Sequence, residues 1–324
     1  MKEKTLKKPG GAAVAEFYSK YGILLILAIV FIVGSIIAPH FLSVDNLLSV
    51  FNQVAVIAVF CTGMSLIIIT GNADLSAGSA VALASCIAAV IMKNTGSALL
   101  ALVVTILCGM VFGAIDGYLV SYRALPAFIV TLAAQMALRG AAYLVADGAP
   151  ILGVGSLEWV AKGKLFGVVP MLLVFTILSG LVIWYVLSNT VWGRYLYAIG
   201  GNREAAAASG INVKKNIFRV YIVMGAITAF AGILYAGRTN SGLPAGATAY
   251  EFDAIIGCVL GGCSMAGGVG NVISAICGAL VVGIINNCMN LCGVNAYYQQ
   301  IVKGLVIIIA IVIDKTTRDK IMRS

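Results

Sequence analysis

Ionisable residues punctuate this chain at long intervals, and the apolar stretches between them set its architecture. Nothing ionisable stands between Lys20 and His40, Asp45 and Asp74, Asp74 and Lys93, or Lys93 and Asp116. The same holds from Lys164 to Arg194 and from Arg219 to Arg238, and the run from Asp253 to Lys303 is long enough for two crossings. A helix needs about 20 apolar residues to span the hydrocarbon. The strict period-two alternation of a barrel strand is absent. The pattern predicts an all-α polytopic membrane protein with about ten transmembrane helices. They fall near 22–38, 47–70, 78–93, 97–120, 125–146, 169–188, 217–237, 252–267, 271–292 and 298–314. The eighth is short and Gly-rich, so a broken or re-entrant segment is expected there. The chain then divides into an N-terminal segment 1–21, a single membrane domain 22–314 with a polar loop 189–216, and a C-terminal tail 315–324.

Composition agrees. The chain is 61% hydrophobic and 10% charged, with a mean hydropathy of +1.04, against about one quarter charged in a soluble domain. The net charge of +9 reflects orientation rather than nucleic-acid binding, since no basic stripe or recognition motif is present. With the N-terminus inside, the inner segments hold Lys2, Lys4, Lys7, Lys8, Lys20, Arg123, Arg194, Arg203, Lys214, Lys215, Arg219, Lys315, Arg318, Lys320 and Arg323. The outer loops hold Lys93, Lys162, Lys164 and Arg238, while Arg139 and Lys303 lie within spans. The positive-inside rule therefore places both termini in the cytoplasm. The first apolar stretch exceeds a signal-peptide core and lacks a clear cleavage site, so it reads as a retained span. The eight cysteines fall in predicted spans with no zinc spacing and read as packing residues.

Two segments suggest internal symmetry. "CGMVFGAIDG" (108–117) lies against "CGALVVGIIN" (277–286) with a one-residue slip. The first runs inward and the second outward on this topology, as an inverted repeat of spans 2–5 and 7–10 would require.

Polar side chains inside apolar helices mark a candidate solute pathway: Asn52, Gln53, Asn72, Asp74, Ser76, Gln135, Asn286, Asn287 and Asn290. Amides in lipid need partners, either another helix or a water-filled cavity, and neutral donors and acceptors suit a neutral polyhydroxyl solute. Asp74 reads either as the cap of the following helix, with Ser76 as the alternative cap, or as part of an unwound pathway segment. Asp116, Asp253 and Arg139 are the membrane charges to watch. No phosphate loop of the G-x-x-x-x-G-K-[ST] type occurs, so active transport needs either an ion gradient or a separate motor.

Residues 200–211, "GGNREAAAASGI", form a polar island. Asn202 is a helix cap, Glu204 favours the positive N-terminus, the alanines propagate a helix, and Gly210 suits the left-handed position that ends it.

Several blocks together resemble the membrane permease subunits of bacterial ABC monosaccharide importers, the ribose/galactose (methyl-galactoside) group. They are "PHFLSVDNLLSV" (39–50), "TGNADLSAGSAVALAS" (70–85), "GAIDGYLVSYRALPAFIVTLAAQMALRG" (113–140), "GRYLYAIGGNREAAAASGI" (193–211), "YEFDAIIGCVLGGCSMAGGVG" (250–270) and "YYQQIVKGLVIIIAIVID" (297–314). "DLSAG" and "GGVG" lean toward the galactose type. The resemblance implies a bacterial inner-membrane subunit that is no enzyme itself and holds no cofactor. It implies a second permease copy, a cytoplasmic ABC ATPase that binds ATP and Mg, an extracytoplasmic sugar-binding protein, and no nucleic acid. It further implies an ATPase-coupling role for Asn202, Arg203, Glu204, Ala205, Ala206 and Gly210, which match the family's Glu-Ala-Ala loop with its offset glycine. The downstream part of the longer loop motif is not evident. The alternative reading is an ion-gradient-driven secondary transporter of a small polar solute.

Overall fold

The structure is a computed structural model that describes residues 10–323. Lys2, Lys4, Lys7 and Lys8, which contribute to the orientation count, lie outside the described residues. The helices are α1 (Gly10–Ile37), α2 (Val44–Ile69), α3 (Ala77–Thr95), α4 (Ala98–Ser121), α5 (Ala127–Val145), α6 (Glu158–Lys162), α7 (Met171–Asn189), α8 (Val191–Gly201), α9 (Arg203–Ala208), α10 (Val213–Thr239), α11 (Tyr250–Leu260), α12 (Val272–Leu291) and α13 (Ala296–Arg323). Four two-residue strands, β1 (Ile151–Leu152), β2 (Lys164–Leu165), β3 (Val169–Pro170) and β4 (Ser241–Gly242), pair as β1–β4 and β2–β3. The protein is therefore an all-α polytopic membrane protein. Among the described residues, α2, α3, α4, α5, α7, α10 and α12 are long and apolar enough to cross a membrane, and shorter apolar stretches cover Gly22–Ile37 and Ala296–Ile309.

Three boundaries differ from the sequence expectation. The helix of the eighth span ends at Leu260 rather than at 267. The first helix starts at Gly10 rather than at residue 22, and the last continues to Arg323 rather than ending at 314. Apolarity reports where lipid begins, whereas helix continues as long as propensity allows, and neither Gly10–Tyr21 nor Asp314–Arg323 contains proline. The eighth segment is short as expected. Helix α11 has 11 residues, about 16 Å, half of what a bilayer demands.

Burial sorts the helices. The apolar window of α2 is 89% buried, against 17% for α4 and 22% for α5. Helix α2 is thus a central post, and α4, α5 and α7 turn leucines, valines and phenylalanines such as Leu107, Phe128 and Leu181 outward, where lipid is the matching solvent.

Glycine makes the close helix crossings. Gly109 and Gly113 of α4 face Gly225 of α10 backbone to backbone, and Gly117 lies against Tyr221. Gly257 of α11 and Gly278 of α12 repeat this geometry, and Gly283 of α12 lies on Val54 of α2. Without a hydrophobic drive between helices in lipid, such close approach carries their association. The packing pairs come in sets. Helix α4 packs on α10 as α12 packs on α2; α3 meets α4, α5 and α10 as α11 meets α12, α13 and α2.

Loops gather at two ends. At one, β1 pairs with β4, and Asn46 and Asn287 exchange hydrogen bonds of 3.1 and 2.8 Å. At the other, Gly268 N–H donates to the Ile69 carbonyl at 2.9 Å, beside Gly71 and Gly200.

Gly225→Val should place a branched side chain against the Gly109 carbonyl, which cannot yield. Detergent-solubilised protein should lose stability at the upper end of the roughly 1–3 kcal/mol typical of overpacking, read as a lower melting temperature. Gly140→Ala on α5, where a Cβ meets nothing within 4 Å, should be neutral or stabilising by up to about 1 kcal/mol.

Candidate functional site

Two interruptions of regular helix lie inside the bundle. The first follows α2. Residues 70–76 are turn and extended chain, and every residue from Asp74 to Ser79 is buried. Asp74 Oδ1 accepts from the Ser76 N–H at 2.9 Å and from its hydroxyl at 2.6 Å. Asp74 is therefore the side chain that organises the start of α3, while Ser76, at the N-cap, makes no cap hydrogen bond through its own side chain. Tyr221 donates to the Ala73 carbonyl at 3.3 Å.

The second interruption follows α10. Asn240, in the left-handed conformation, ends the helix, and the chain then descends along α3. Gly242 lies against Cys86 and Ala89, Leu243 N–H donates to Ser85 Oγ at 3.3 Å, and the Ala247 carbonyl and Glu251 reach Gly78. Ala89 to Gly78 is eleven residues of helix, about 16 Å. Residues 240–249 thus form a re-entrant segment, and α11 starts deep in the bundle. Arg139 Nη1 holds the segment, donating to the Pro244 and Gly246 carbonyls at 2.7 Å each.

Polar groups ring the first turn of α11. Gln135 Nε2 donates to Glu251 Oε1 at 3.0 Å. Lys303 Nζ pairs with Asp253 Oδ2 at 2.9 Å. Arg238 donates to Tyr250 Oη at 3.1 Å and to the Asn52 carbonyl at 3.4 Å, with its guanidinium over the Tyr235 ring. Glu251 and Asp253 are each 2% exposed.

The nine pathway candidates therefore divide. Gln135 stands in the α11 ring, and Asn52 reaches it by its carbonyl while Gln53 is exposed. Asn287 closes the far end against Asn46, Asn286 is half-buried, and the exposed Asn290 accepts from Gln299 at 2.8 Å. Asp74 and Ser76 lie with Asp116 along a crevice between α3, α4 and α10. Asn72 belongs to the opposite face, where its Oδ1 accepts from Arg203 at 3.0 Å.

Arg203 joins the polar island to the first interruption, for it also reaches the Thr70 and Gly71 carbonyls at 3.2 and 3.3 Å. The island folds as its residues dictate. Asn202 caps α9 by accepting from Ala205 N–H at 2.9 Å. Gly210, at φ +82°, closes it with bonds from Gly210 N–H to Ala207 and from Ile211 N–H to Ala206, the pairing of a left-handed helix stop. Ala206 is buried in the protein's own core, and the other residues of α9, Arg203, Glu204, Ala205, Ala207 and Ala208, are exposed. A groove runs beside this helix between Asn72, Leu125, Phe128, Glu204 and Ala207. On the approach to the island, Tyr197 donates to the Gly270 carbonyl at 2.8 Å, and burial, then the nearby Cys263 thiol, raises its pKa above the ordinary phenol value, which keeps the donor proton in place.

Glu251 is the functional candidate that sequence reading passed over. A signal existed: "LSAG" at 75–78 and "LPAG" at 243–246 each follow a long apolar run with a threonine at its end, Thr70 and Thr239. That pair marks two equivalent interruptions and would have pointed to the acids just after the second.

Seven long apolar helices, two broken segments and buried charges define a multi-pass membrane protein. The comparisons name the family. Residues 46–311 match the family described as the permease component of the branched-chain amino acid transport system, and the chain belongs to it. It is 38% identical over 309 residues, 94% of either chain, to the ribose import permease protein of Escherichia coli (strain K12). It is 33% identical to the D-allose transport system permease protein of the same strain, over 97% of this chain and 96% of that one. To that strain's galactose/methyl galactoside import permease protein it is 35% identical, over 91% and 92%. These identities give no support to the lean toward the galactose type. No solved structure matches the chain at a significant level.

Lys303→Met should leave Asp253 buried and unpaired, at a cost of about 3–5 kcal/mol. Adding Asp253→Asn should restore most of the loss. Thermal denaturation of the two variants in detergent checks the pair.

Proposed function

We propose that the chain is the membrane-spanning subunit of an ATP-binding-cassette importer that carries a monosaccharide of the ribose or galactose type into the cytoplasm by alternating access. The observation that carries this is similarity along almost the whole chain to permeases named for ribose, allose and galactose import. The family is also described by amino-acid transport, so the sugar reading comes from those relatives.

In this reading the chain crosses the bacterial inner membrane ten times with both termini inside, α11 making its passage together with the re-entrant segment before it. The exchanged packing pairs, α4 on α10 and α12 on α2, support an inverted repeat of spans 2–5 and 7–10. The energy comes from a cytoplasmic ATPase that binds ATP and Mg, an extracytoplasmic binding protein delivers the sugar, and a second permease copy completes the pathway. The chain itself catalyses no reaction.

Helix α9 is the seat of the ATPase. Its outward face is small, its positive end carries Glu204, and Arg203 links it to the chain between α2 and α3. Movement of the ATPase groove therefore reaches the bundle through Thr70–Asn72.

The deciding experiment is reconstitution of the chain with its ATPase in proteoliposomes, supplied with binding protein loaded from a panel of monosaccharides. Sugar uptake should require ATP. Uptake by the chain alone, driven by an ion gradient, would overturn the assignment and favour a secondary transporter. Within the working complex, Ala205→Trp should cut the sugar moved per ATP at least tenfold by blocking the seat. Arg203→Ala should do so by cutting the link, and normal coupling in both would remove α9 from the role.

A further inference from the structure

The groove beside α9 has a volume of about 710 Å³, enough for a small ligand or a few side chains. Leu125 and Phe128, from the turn between α4 and α5 and the start of α5, line one side of it. Glu204 and Ala207 of α9 and Lys214 of α10 line the other. The half-buried Gly71 and Ala73, in the chain that leads into α3, form its floor. The groove is preformed. Ala124, a non-glycine residue at φ +54°, fixes the α4–α5 turn, and Leu125 N–H donates back to the Leu119 carbonyl of α4 at 3.2 Å.

The lining is mixed. Leu125 is 45% and Phe128 58% exposed, an apolar wall that water does not match. Opposite stand two charged side chains, Glu204 and Lys214, that a lipid tail does not match. An apolar centre with a polar rim is the anatomy of a protein interface. The surrounding charge gives the partner's sign. Arg123, Lys214 and Lys215 are all exposed at this end, and Glu204 is the one acid among the described residues that line the groove. The position gives the partner itself. A short helix seated in another protein's cleft has the lips of that cleft on either side of it, and this groove is the space beside α9.

We propose that the groove receives one lip of the ATPase cleft in which α9 sits. The lip places an apolar side chain against Leu125 and Phe128 and a carboxylate toward Lys214. The two proteins then interlock: α9 enters the ATPase, and the ATPase enters the groove. The lip rests on Gly71 and Ala73, so movement of the ATPase reaches the start of α3 by direct contact as well as through Arg203. The α4–α5 turn becomes the second point of grip.

This deepens the ATPase reading of α9 and rests on it. The test is cysteine labelling in lipid nanodiscs with a membrane-impermeant maleimide, with and without the ATPase. The unsubstituted chain supplies the background of its eight cysteines. Bound ATPase should slow labelling of Leu125→Cys and Ala205→Cys at least tenfold. Leu152→Cys, in β1 at the opposite end and 76% exposed, should label as before. Leu125→Asp should weaken ATPase binding roughly tenfold or more with an unchanged melting temperature, since the side chain is exposed. Protection of Ala205→Cys with Leu125→Cys still freely labelled would leave the groove empty and overturn the proposal while α9 keeps its role. So would wild-type ATPase affinity in Leu125→Asp. Slow labelling of Leu125→Cys in nanodiscs without ATPase, relieved in detergent, would make lipid the occupant instead. Protection at neither position would remove the ATPase from α9 altogether.

Discussion

The structure depends on how it satisfies backbone that is not helical inside a space meant for lipid. Unwound peptide groups at such depth cost several kcal/mol each unless something bonds them. Two arginines meet that demand. Arg139 takes the Pro244 and Gly246 carbonyls, and Arg203 takes those of Thr70 and Gly71. Tyr221 adds Ala73, and Ser85 serves the Leu243 N–H. Proline at 244 removes one donor from the demand altogether. Each arginine comes from outside the segment it serves, so each interruption is tied to another element and moves with it.

Much of this was legible in the letters. Long uncharged runs located the seven long apolar helices to within about four residues, because hydrophobic length is a direct physical requirement. The short, Gly-rich eighth segment announced itself for the same reason. Asn202 and Gly210 gave the bounds of α9, since capping chemistry is local. Three-dimensional partners were harder to read. Asn72 and Asp74 looked alike as polar residues in one loop, yet Asn72 bonds to Arg203 131 residues away while Asp74 turns inward to Ser76. Ala206 belongs to the coupling motif by resemblance, and helical phase places it in the core. Glu251 escaped notice because it follows a loop by position, and only the descent of that loop along α3 carries it into the bundle.

The same geometry explains why so many of the 37 glycines sit at contacts rather than turns. At Gly109, Gly113 and Gly225 they let α4 and α10 touch by backbone, and at Gly257 and Gly278 they do the same for α11 and α12. These crossings admit no side chain between them.

The polar island packs against the chain that leads into α3 and against the chain that leaves α11. Through Arg203 it holds the chain that leads into α3, and at Gly200 and Gly201 it touches Gly267 and Gly268 in the loop that leaves α11. The first turns of α3 and α11 are what meet at Gly78 and Glu251. A displacement of the island therefore acts on α3 from its start and on α11 from its end, through two short backbone links. Glycine at 200 and 268 is required on steric grounds, because a Cβ at either would enter the neighbouring backbone. In the coupling role proposed for the island, that tight seating is what a mechanical joint needs: slack at the island would be absorbed there, and nothing would arrive at the contact between the two buried turns.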